Sequence, residues 1–168
     1  MAVVDWDMNE GWSKPSIVPM APIPIHPFNS SLHYAVECFE GMKAYKDAQG
    51  KIRLFRPECN ALRLKRSSNR ISLPDFNGEE FIKLLAEYVK VEQRWIPSIS
   101  EYSLYLRPLH ISMENSLGVK SPGKSKLLIL GCPVGPYYPT GFEPISLSCG
   151  VGTIRSAPGG TGMYKVGG

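Results

Sequence analysis

The amino-acid sequence predicts an α+β fold with two layers, in which helices pack on one side of a largely antiparallel sheet. Three patterns in chain order support this class. The first is an alternating hairpin pattern at 41–55. The second is helical periodicity at 57–70 and 77–94, and the third is a set of apolar runs from residue 102 onward. A hairpin followed by helices and then by strands favours segregated layers over alternating strand and helix units.

The segment before the hairpin is predicted to be extended chain that wraps the domain. Residues 11–30 contain five prolines, which have no N–H to donate and disfavour helix at the residue before them. They are Pro15, Pro19, Pro22, Pro24 and Pro27. The mixed apolar run at 32–39 is predicted to be a short helix or a turn.

Two alternating runs, at 41–46 and 51–55, flank the tetrapeptide Asp47-Ala48-Gln49-Gly50. Turn-forming residues between alternating runs predict a β-hairpin. Pro57 then suits the first turn of a helix, because an N–H at that position would have no helical partner. The basic residues of this helix extend to Arg70.

A second helix is predicted to begin after Asn77. Asn77 and Glu80 are spaced as a capping pair. Apolar residues recur behind them at helical period, namely Phe81, Ile82, Leu85, Tyr88 and Val89. One apolar face at this period predicts a helix that continues to about Arg94.

Two later runs, at 102–107 and 126–132, are predicted to be core strands, because they are rich in residues that favour buried sheets. Residues 144–148 are predicted to form a third strand. Cys132 lies within an apolar run, where a buried reduced thiol is expected. The cysteines form no C-x-x-C pair and the histidines have no ligand-like spacing, so no metal site is predicted.

Composition indicates an ordinary globular domain. The chain has 168 residues, of which 43% are hydrophobic and 20% charged, and its net charge is +4. Its basic residues are scattered, which argues against nucleic acid as a partner and fits small acidic substrates better. No apolar run approaches the ~20 residues of a membrane helix. The acidic segment 1–7 resembles neither a secretory signal nor a transit peptide, so we expect a cytoplasmic protein, or a mitochondrial one if the natural N-terminus is longer.

The most informative segment is 159–168, where five glycines surround Lys165. Glycine lets the backbone approach a ligand closely, and a lysine amine in crowded apolar surroundings is a candidate for Schiff-base chemistry with an aldehyde such as pyridoxal phosphate. A phosphate loop is excluded, because Tyr164 and Val166 flank the lysine where that motif needs Gly and Ser or Thr. The alternative is a flexible glycine-rich tail with an incidental lysine.

Seven ordered segments of the chain resemble the branched-chain amino acid aminotransferases, which are pyridoxal-phosphate enzymes of fold type IV. In sequence order they are 32–34 (LHY), 39–45 (FEGMKAY), 52–57 (IRLFRP), 103–108 (SLYLRP), 116–119 (SLGV), 132–138 (CPVGPYY) and the glycine-wrapped Lys165. The amino-acid sequences of these segments are most similar to those of the eukaryotic branch of the family.

The resemblance implies roles for particular residues. Lys165 would hold pyridoxal 5'-phosphate and carry the proton, and Arg63 would bind the cofactor phosphate. Tyr105 and Arg107, which a strand projects to one face, would hold the side-chain carboxylate of 2-oxoglutarate. Five residues would line the hydrophobic pocket, some of them at the partner site of a homodimer: Tyr34, Phe39, Leu117, Val119 and Tyr137.

The implied activity is transfer of the amino group of leucine, isoleucine or valine to 2-oxoglutarate. By the same resemblance, residues 1–149 would form the small N-terminal domain, and 150–168 the interdomain connection and the start of a truncated cofactor domain. Met163 departs from the family, which usually has Asp or Asn there. The alternatives are another fold type IV enzyme, such as an aminodeoxychorismate lyase or a D-amino acid aminotransferase, or a non-catalytic truncated chain.

Overall fold

The computed structural model describes residues 1–167, and within them it contains one eight-stranded, entirely antiparallel sheet with helices on one side. The strands are β1 (Ala2–Asp7), β2 (Gly11–Trp12), β3 (Ser16–Ile17), β4 (Glu37–Phe39), β5 (Met42–Lys46), β6 (Ile52–Leu54), β7 (Ser103–Ser112) and β8 (Lys124–Val134). The helices are α1 (Ser30–Tyr34), α2 (Pro57–Arg70) and α3 (Gly78–Val91), followed by a 3₁₀ turn at Gln93–Trp95. The predicted α+β class is confirmed.

The sheet has the order β2-β1-β8-β7-β5-β6, with β3 added to β1 and β4 added to β7. Its centre is the long ladder between β7 and β8. β1 pairs with β8 along its whole length, from Ala2 opposite Ile129 to Asp7 opposite Lys124. The sequence analysis predicted no strand at these first residues, so β1 is found only in the structure.

The two predicted helices are confirmed, and their ends follow local signals. α2 begins at Pro57. At the start of α3, the Asn77 side chain accepts hydrogen bonds from the backbone N–H groups of Glu79 and Glu80, which satisfies donors that have no partner inside the helix. The helix ends at Val91, and the 3₁₀ turn carries the chain on to Trp95. No helix among residues 1–167 is both long enough and apolar enough to cross a membrane.

Alternation along β7 separates the core from the opposite face of the sheet. Leu104, Leu106 and His110 are buried, and His110 hydrogen-bonds Ser68 on α2, so this face packs against the helices. Tyr105 and Arg107 are only half-buried and lie on the other face. The period of two in a strand therefore directs the two residues predicted to clamp a substrate away from the helix layer.

β4 and β5 lie along β7 in one continuous register, since Phe39 pairs with Leu109 and Met42 pairs with Leu106. The ladder is interrupted between them, where Glu40 lies opposite Pro108. The Glu40 N–H donates to the Pro108 carbonyl at 2.9 Å, but proline has no N–H to return the bond. The pair of Glu40 and Pro108 therefore has one backbone hydrogen bond where a regular antiparallel pair has two.

Two expectations were wrong. Residues 144–148 form no strand, and Ile145 and Leu147 are exposed. Cys132 is exposed although it lies within β8, because it pairs with Tyr105 and so lies on the face of the sheet away from the helices; Cys38 is the buried cysteine. Gly168, the last residue of the glycine-rich segment, lies outside the described residues.

Candidate active site

The glycine-rich segment returns to the sheet and pairs with the free edge of β4. The Phe39 N–H donates to the Lys165 carbonyl at 3.1 Å, and the Gly167 N–H donates to the Glu37 carbonyl at 3.1 Å. Cys38 and Val166 form an isolated antiparallel bridge between these two bonds. Lys165 is therefore held at the sheet by backbone hydrogen bonds, which contradicts a free flexible tail at this position.

Gly167 shows why a small residue is needed at this edge. A Cβ atom at that position would lie 2.3 Å from Oε1 of Glu37, inside the contact distance that any side chain tolerates. Any larger residue here would require the Glu37 side chain to move, so glycine suits the close pairing with β4.

The Lys165 side chain lies against an aromatic ring. Its Nζ atom is 4.5 Å from the centroid of the Phe39 ring, a distance at which an ammonium is attracted by the π face. Its backbone N–H donates to Oγ of Ser67 on α2 at 2.9 Å. Strand β4 and helix α2 together fix both the backbone and the side chain of the predicted nucleophile.

Arg107 contacts the same ring. Its guanidinium carbon is 4.6 Å from the Phe39 centroid, and its Nη2 donates to the Tyr105 hydroxyl at 2.9 Å. The Nε atom of Arg107 is buried and has no hydrogen-bond partner among the described residues. A buried N–H without a partner is costly, so this donor is suited to an anion that enters the site.

Arg63 makes a different contact from the one that the family resemblance suggests. Its Nε donates to Oε1 of Glu40 at 2.5 Å, and its Nη2 donates to Oε2 at 2.8 Å. Hydrogen bonding to Glu40 raises the pKa of the Arg63 guanidinium. The Arg63 side chain remains 47% exposed, so the donors that Glu40 does not use stay accessible.

Glu40 is the buried centre of this group. It is 0% exposed, and Oε2 also accepts from Nδ2 of Asn60 at 2.8 Å and from the backbone N–H of Gly41 at 3.2 Å. Since Glu40 follows Phe39 in the strand, it points to the opposite side, toward the helices. Glu40 thus connects the chain segment that carries Phe39 to the helix that carries Arg63.

Gly41 joins this group to the Tyr105 and Arg107 pair. A Cβ atom at Gly41 would lie 2.2 Å from the Tyr105 hydroxyl, so the tyrosine occupies the space that any other residue would fill. Glu40, which pairs with Arg63, and Gly41, which lies against Tyr105, are therefore consecutive residues between β4 and β5.

The remaining predicted pocket residues lie farther out. The Tyr34 hydroxyl donates to the Leu117 carbonyl at 2.6 Å, which joins those two positions. Val119 is 88% exposed and Tyr137 is 91% exposed. The structure brings Phe39, Tyr105, Arg107 and Lys165 together, while the roles of all the predicted site residues remain predictions.

Sequence reasoning missed Glu40, Asn60 and Ser67 as members of the site. Glu40 carried a signal, because it is an acidic residue at a position whose strand parity points into the core. Asn60 and Ser67 lie one turn before and one turn after Arg63, and helical spacing would have placed them on its face.

The donor set fits a phosphorylated aldehyde such as pyridoxal phosphate. An amine, an aromatic wall and an arginine with free N–H groups lie within one strand and its neighbours, and these are the groups that such a ligand needs. Among residues 1–167, no cluster of three or more His, Cys, Asp or Glu side chains could hold a metal ion.

Structural comparison shows the same fold in known aminotransferases. The branched-chain aminotransferase of Thermoproteus uzoniensis with norvaline matches with a TM-score of 0.61 at 23% identity, over 83% of this chain and 43% of that one. The T.th. branched-chain enzyme complexed with N-(5'-phosphopyridoxyl)-L-glutamate matches with a TM-score of 0.53 at 24% identity, over 75% of this chain and 40% of that one.

No protein-family model matches the chain, but individual sequences do. The cytosolic branched-chain-amino-acid aminotransferase of Caenorhabditis elegans is 47% identical over 167 residues, which is 99% of this chain and 40% of that protein. The mitochondrial form of Schizosaccharomyces pombe is 45% identical over 168 residues, which is 100% of this chain and 39% of that protein. The chain thus spans about 40% of the length of these relatives, and over that span it belongs to the branched-chain-amino-acid aminotransferase family.

Proposed function

We propose that the protein containing this chain transfers the amino group of leucine, isoleucine or valine to 2-oxoglutarate, with pyridoxal 5'-phosphate held by Lys165. One observation carries the proposal: the Lys165 amine and the Arg107 guanidinium contact the same Phe39 ring, at 4.5 and 4.6 Å. A nucleophile and a carboxylate ligand on one aromatic wall are what a transaminase of apolar and acidic substrates requires.

Each residue has a defined task in this proposal. Nζ of Lys165 would hold the cofactor and would take the proton from the α-carbon of the amino acid. Arg63 binds the phosphate through the donors that Glu40 leaves free. When bound, the cofactor supplies an electron sink that stabilises negative charge at the α-carbon.

The two substrate classes use different parts of the pocket. Phe39 offers an apolar surface to a branched side chain, and Arg107 with Tyr105 offers charged and polar donors to the second carboxylate of 2-oxoglutarate. The Nε of Arg107, which has no hydrogen-bond partner within residues 1–167, gives the acidic substrate an advantage that an apolar side chain does not use.

The test uses the full-length protein, supplied with L-leucine and 2-oxoglutarate, with glutamate formation as the readout. Lys165→Ala removes the amine, and Lys165→Arg keeps a cation beside Phe39 but cannot form the Schiff base. We expect both variants to lose activity. Activity retained by either variant, or equal use of D-leucine by the parent protein, would contradict the proposal.

We further propose a homodimer. The strong exposure of Val119 and Tyr137 fits residues that a second subunit would cover, because large exposed apolar groups are usual at interfaces. Light scattering of the full-length protein at micromolar concentration tests this, and a monomeric mass would contradict it.

The relatives include both cytosolic and mitochondrial forms. Of the two compartments we propose the cytoplasm, because the Caenorhabditis elegans relative, at 47% identity, is a cytosolic form. A fluorescent fusion of the natural full-length protein tests this, and mitochondrial fluorescence would contradict it.

A further inference from the structure

Ser67 forms a hydrogen bond with the backbone of Lys165, the predicted nucleophile. It lies in α2 and is 0% exposed, and its Oγ accepts the hydrogen bond from the Lys165 backbone N–H at 2.9 Å. The Lys165 carbonyl accepts a hydrogen bond from the backbone N–H of Phe39, in β4. Lys165 is therefore anchored to the sheet through its C=O and to the helix layer through its N–H.

The position of Ser67 in α2 links this anchor to Arg63. The two residues are four positions apart, so they lie on one face of the helix in consecutive turns. Arg63 is itself fixed by Glu40. One rigid helical turn thus fixes the position of the Lys165 backbone relative to Arg63, the residue predicted to bind the phosphate.

A serine is a poor choice for this position on structural grounds alone. Serine is a weaker helix former than alanine, and a buried hydroxyl is unfavourable unless it is hydrogen-bonded. The neighbouring Ser68 serves the core, since its hydroxyl contacts Cys38, the Leu64 carbonyl and His110. The Ser67 hydroxyl instead accepts a hydrogen bond from the backbone of Lys165.

We propose that Ser67 is a positioning residue that fixes the Lys165 backbone relative to Arg63, so that the Lys165 amine and the Arg63 guanidinium can hold one phosphorylated aldehyde. This inference rests on the proposed function. The same hydroxyl that satisfies the Lys165 N–H also prevents the glycine-rich segment from moving along the β4 edge.

The test compares Ser67→Ala with Ser68→Ala in the full-length protein. Each variant removes one fully buried hydroxyl from the same turn of α2, but only the first removes the acceptor of the Lys165 N–H. Two readouts are used. One is hydrogen exchange of the 163–167 segment in the cofactor-free protein, and the other is the absorbance of lysine-bound cofactor during titration with pyridoxal phosphate.

For Ser67→Ala we expect faster exchange at 163–167 and roughly tenfold weaker cofactor attachment, because a lost hydrogen bond with a group left unpaired has an effect of this size. For Ser68→Ala we expect a lower melting temperature but exchange and attachment close to those of the parent. Equal effects of the two variants on both readouts, or parent-like values for Ser67→Ala, would overturn the proposal.

If Ser67→Ala does not fold, Ser67→Cys replaces it, because a thiol has a similar shape and is a weaker acceptor. An intermediate loss of cofactor attachment supports the proposal, and parent-like attachment overturns it. Hydrogen exchange needs no cofactor. It therefore tests the anchor even if the parent protein has no transaminase activity, so failure of the anchor and failure of the proposed function give different results.

Discussion

Glu40 and Arg63 form a bidentate ion pair whose carboxylate is fully buried and whose guanidinium is 47% exposed. The pair connects the irregular point of the β4–β5 strand to helix α2. A buried charge is tolerated only when it is paired and hydrogen-bonded, and Arg63 is its cationic partner. Arg63 is therefore part of the fold as well as part of the predicted cofactor site.

Arg63→Ala should destabilise the protein, because it leaves the Glu40 carboxylate buried without its cation. We expect the free energy of unfolding to fall by about 1–3 kcal/mol, the usual effect of leaving a buried group unsatisfied. Urea unfolding measures the change. Arg66→Ala, which removes an exposed arginine from the same helix, is the control and should have little effect.

The double variant Glu40→Gln with Arg63→Ala should recover part of this loss, since a neutral amide is easier to bury than a carboxylate. The same unfolding measurement gives the coupling between the two residues. If the two single substitutions add without coupling, the ion pair contributes nothing to stability.

Gly41→Ala should disturb the substrate pocket from the strand below it. The new Cβ would lie 2.2 Å from the Tyr105 hydroxyl, so the Tyr105 side chain must shift, and this disturbs its hydrogen bond with Arg107. We expect the KM for 2-oxoglutarate to rise more than the KM for leucine. Gly78→Ala, where a Cβ meets nothing within 4 Å, is the matched control; a similar result for both variants would exclude the Tyr105 contact as the cause.

Arg107→Ala in the full-length protein should impair the half-reaction with 2-oxoglutarate more than the half-reaction with leucine. Only the first substrate places a second carboxylate near the guanidinium, and losing a charged partner should reduce transition-state binding by roughly 2–4 kcal/mol. Single-turnover kinetics separate the two half-reactions. Arg53→Ala, at a surface ion pair with Asp47, serves as the control, and equal losses in the two half-reactions would refute the assigned role.

His110 should make the protein less stable as pH falls. Burial lowers its pKa from 6.5 to about 3, so below its ordinary value the unfolded state binds a proton that the folded state does not. Its contribution is present above about pH 6.5 and is lost as pH falls toward 3, with a decrease of about 2 kcal/mol between about pH 7.5 and pH 5.

Urea unfolding at those two pH values, repeated with His110→Gln, isolates this contribution, because glutamine does not titrate. The stability of the variant should change less between the two values than that of the parent. His33→Gln, at an exposed histidine, is the control and should keep the parent pH dependence. An unchanged dependence in His110→Gln would show that other groups produce it.

Local patterns in the sequence determined the elements that depend only on neighbouring residues. Asn77 caps α3 through N–H groups two and three positions away. The hairpin of β5 and β6 follows from alternation around a four-residue turn. Lys165 was identified as the candidate nucleophile because its glycine neighbours are visible in the sequence itself.

Tertiary structure decided the contacts between residues that are far apart in the chain. Ser67 and Lys165 are separated by 98 positions and Glu40 and Arg63 by 23, and no periodic pattern encodes such pairs. Residues 144–148 alternate as a strand would, yet they pair with no strand of the sheet. Periodicity is a property of neighbouring residues, whereas pairing depends on which edges and faces the whole fold leaves available.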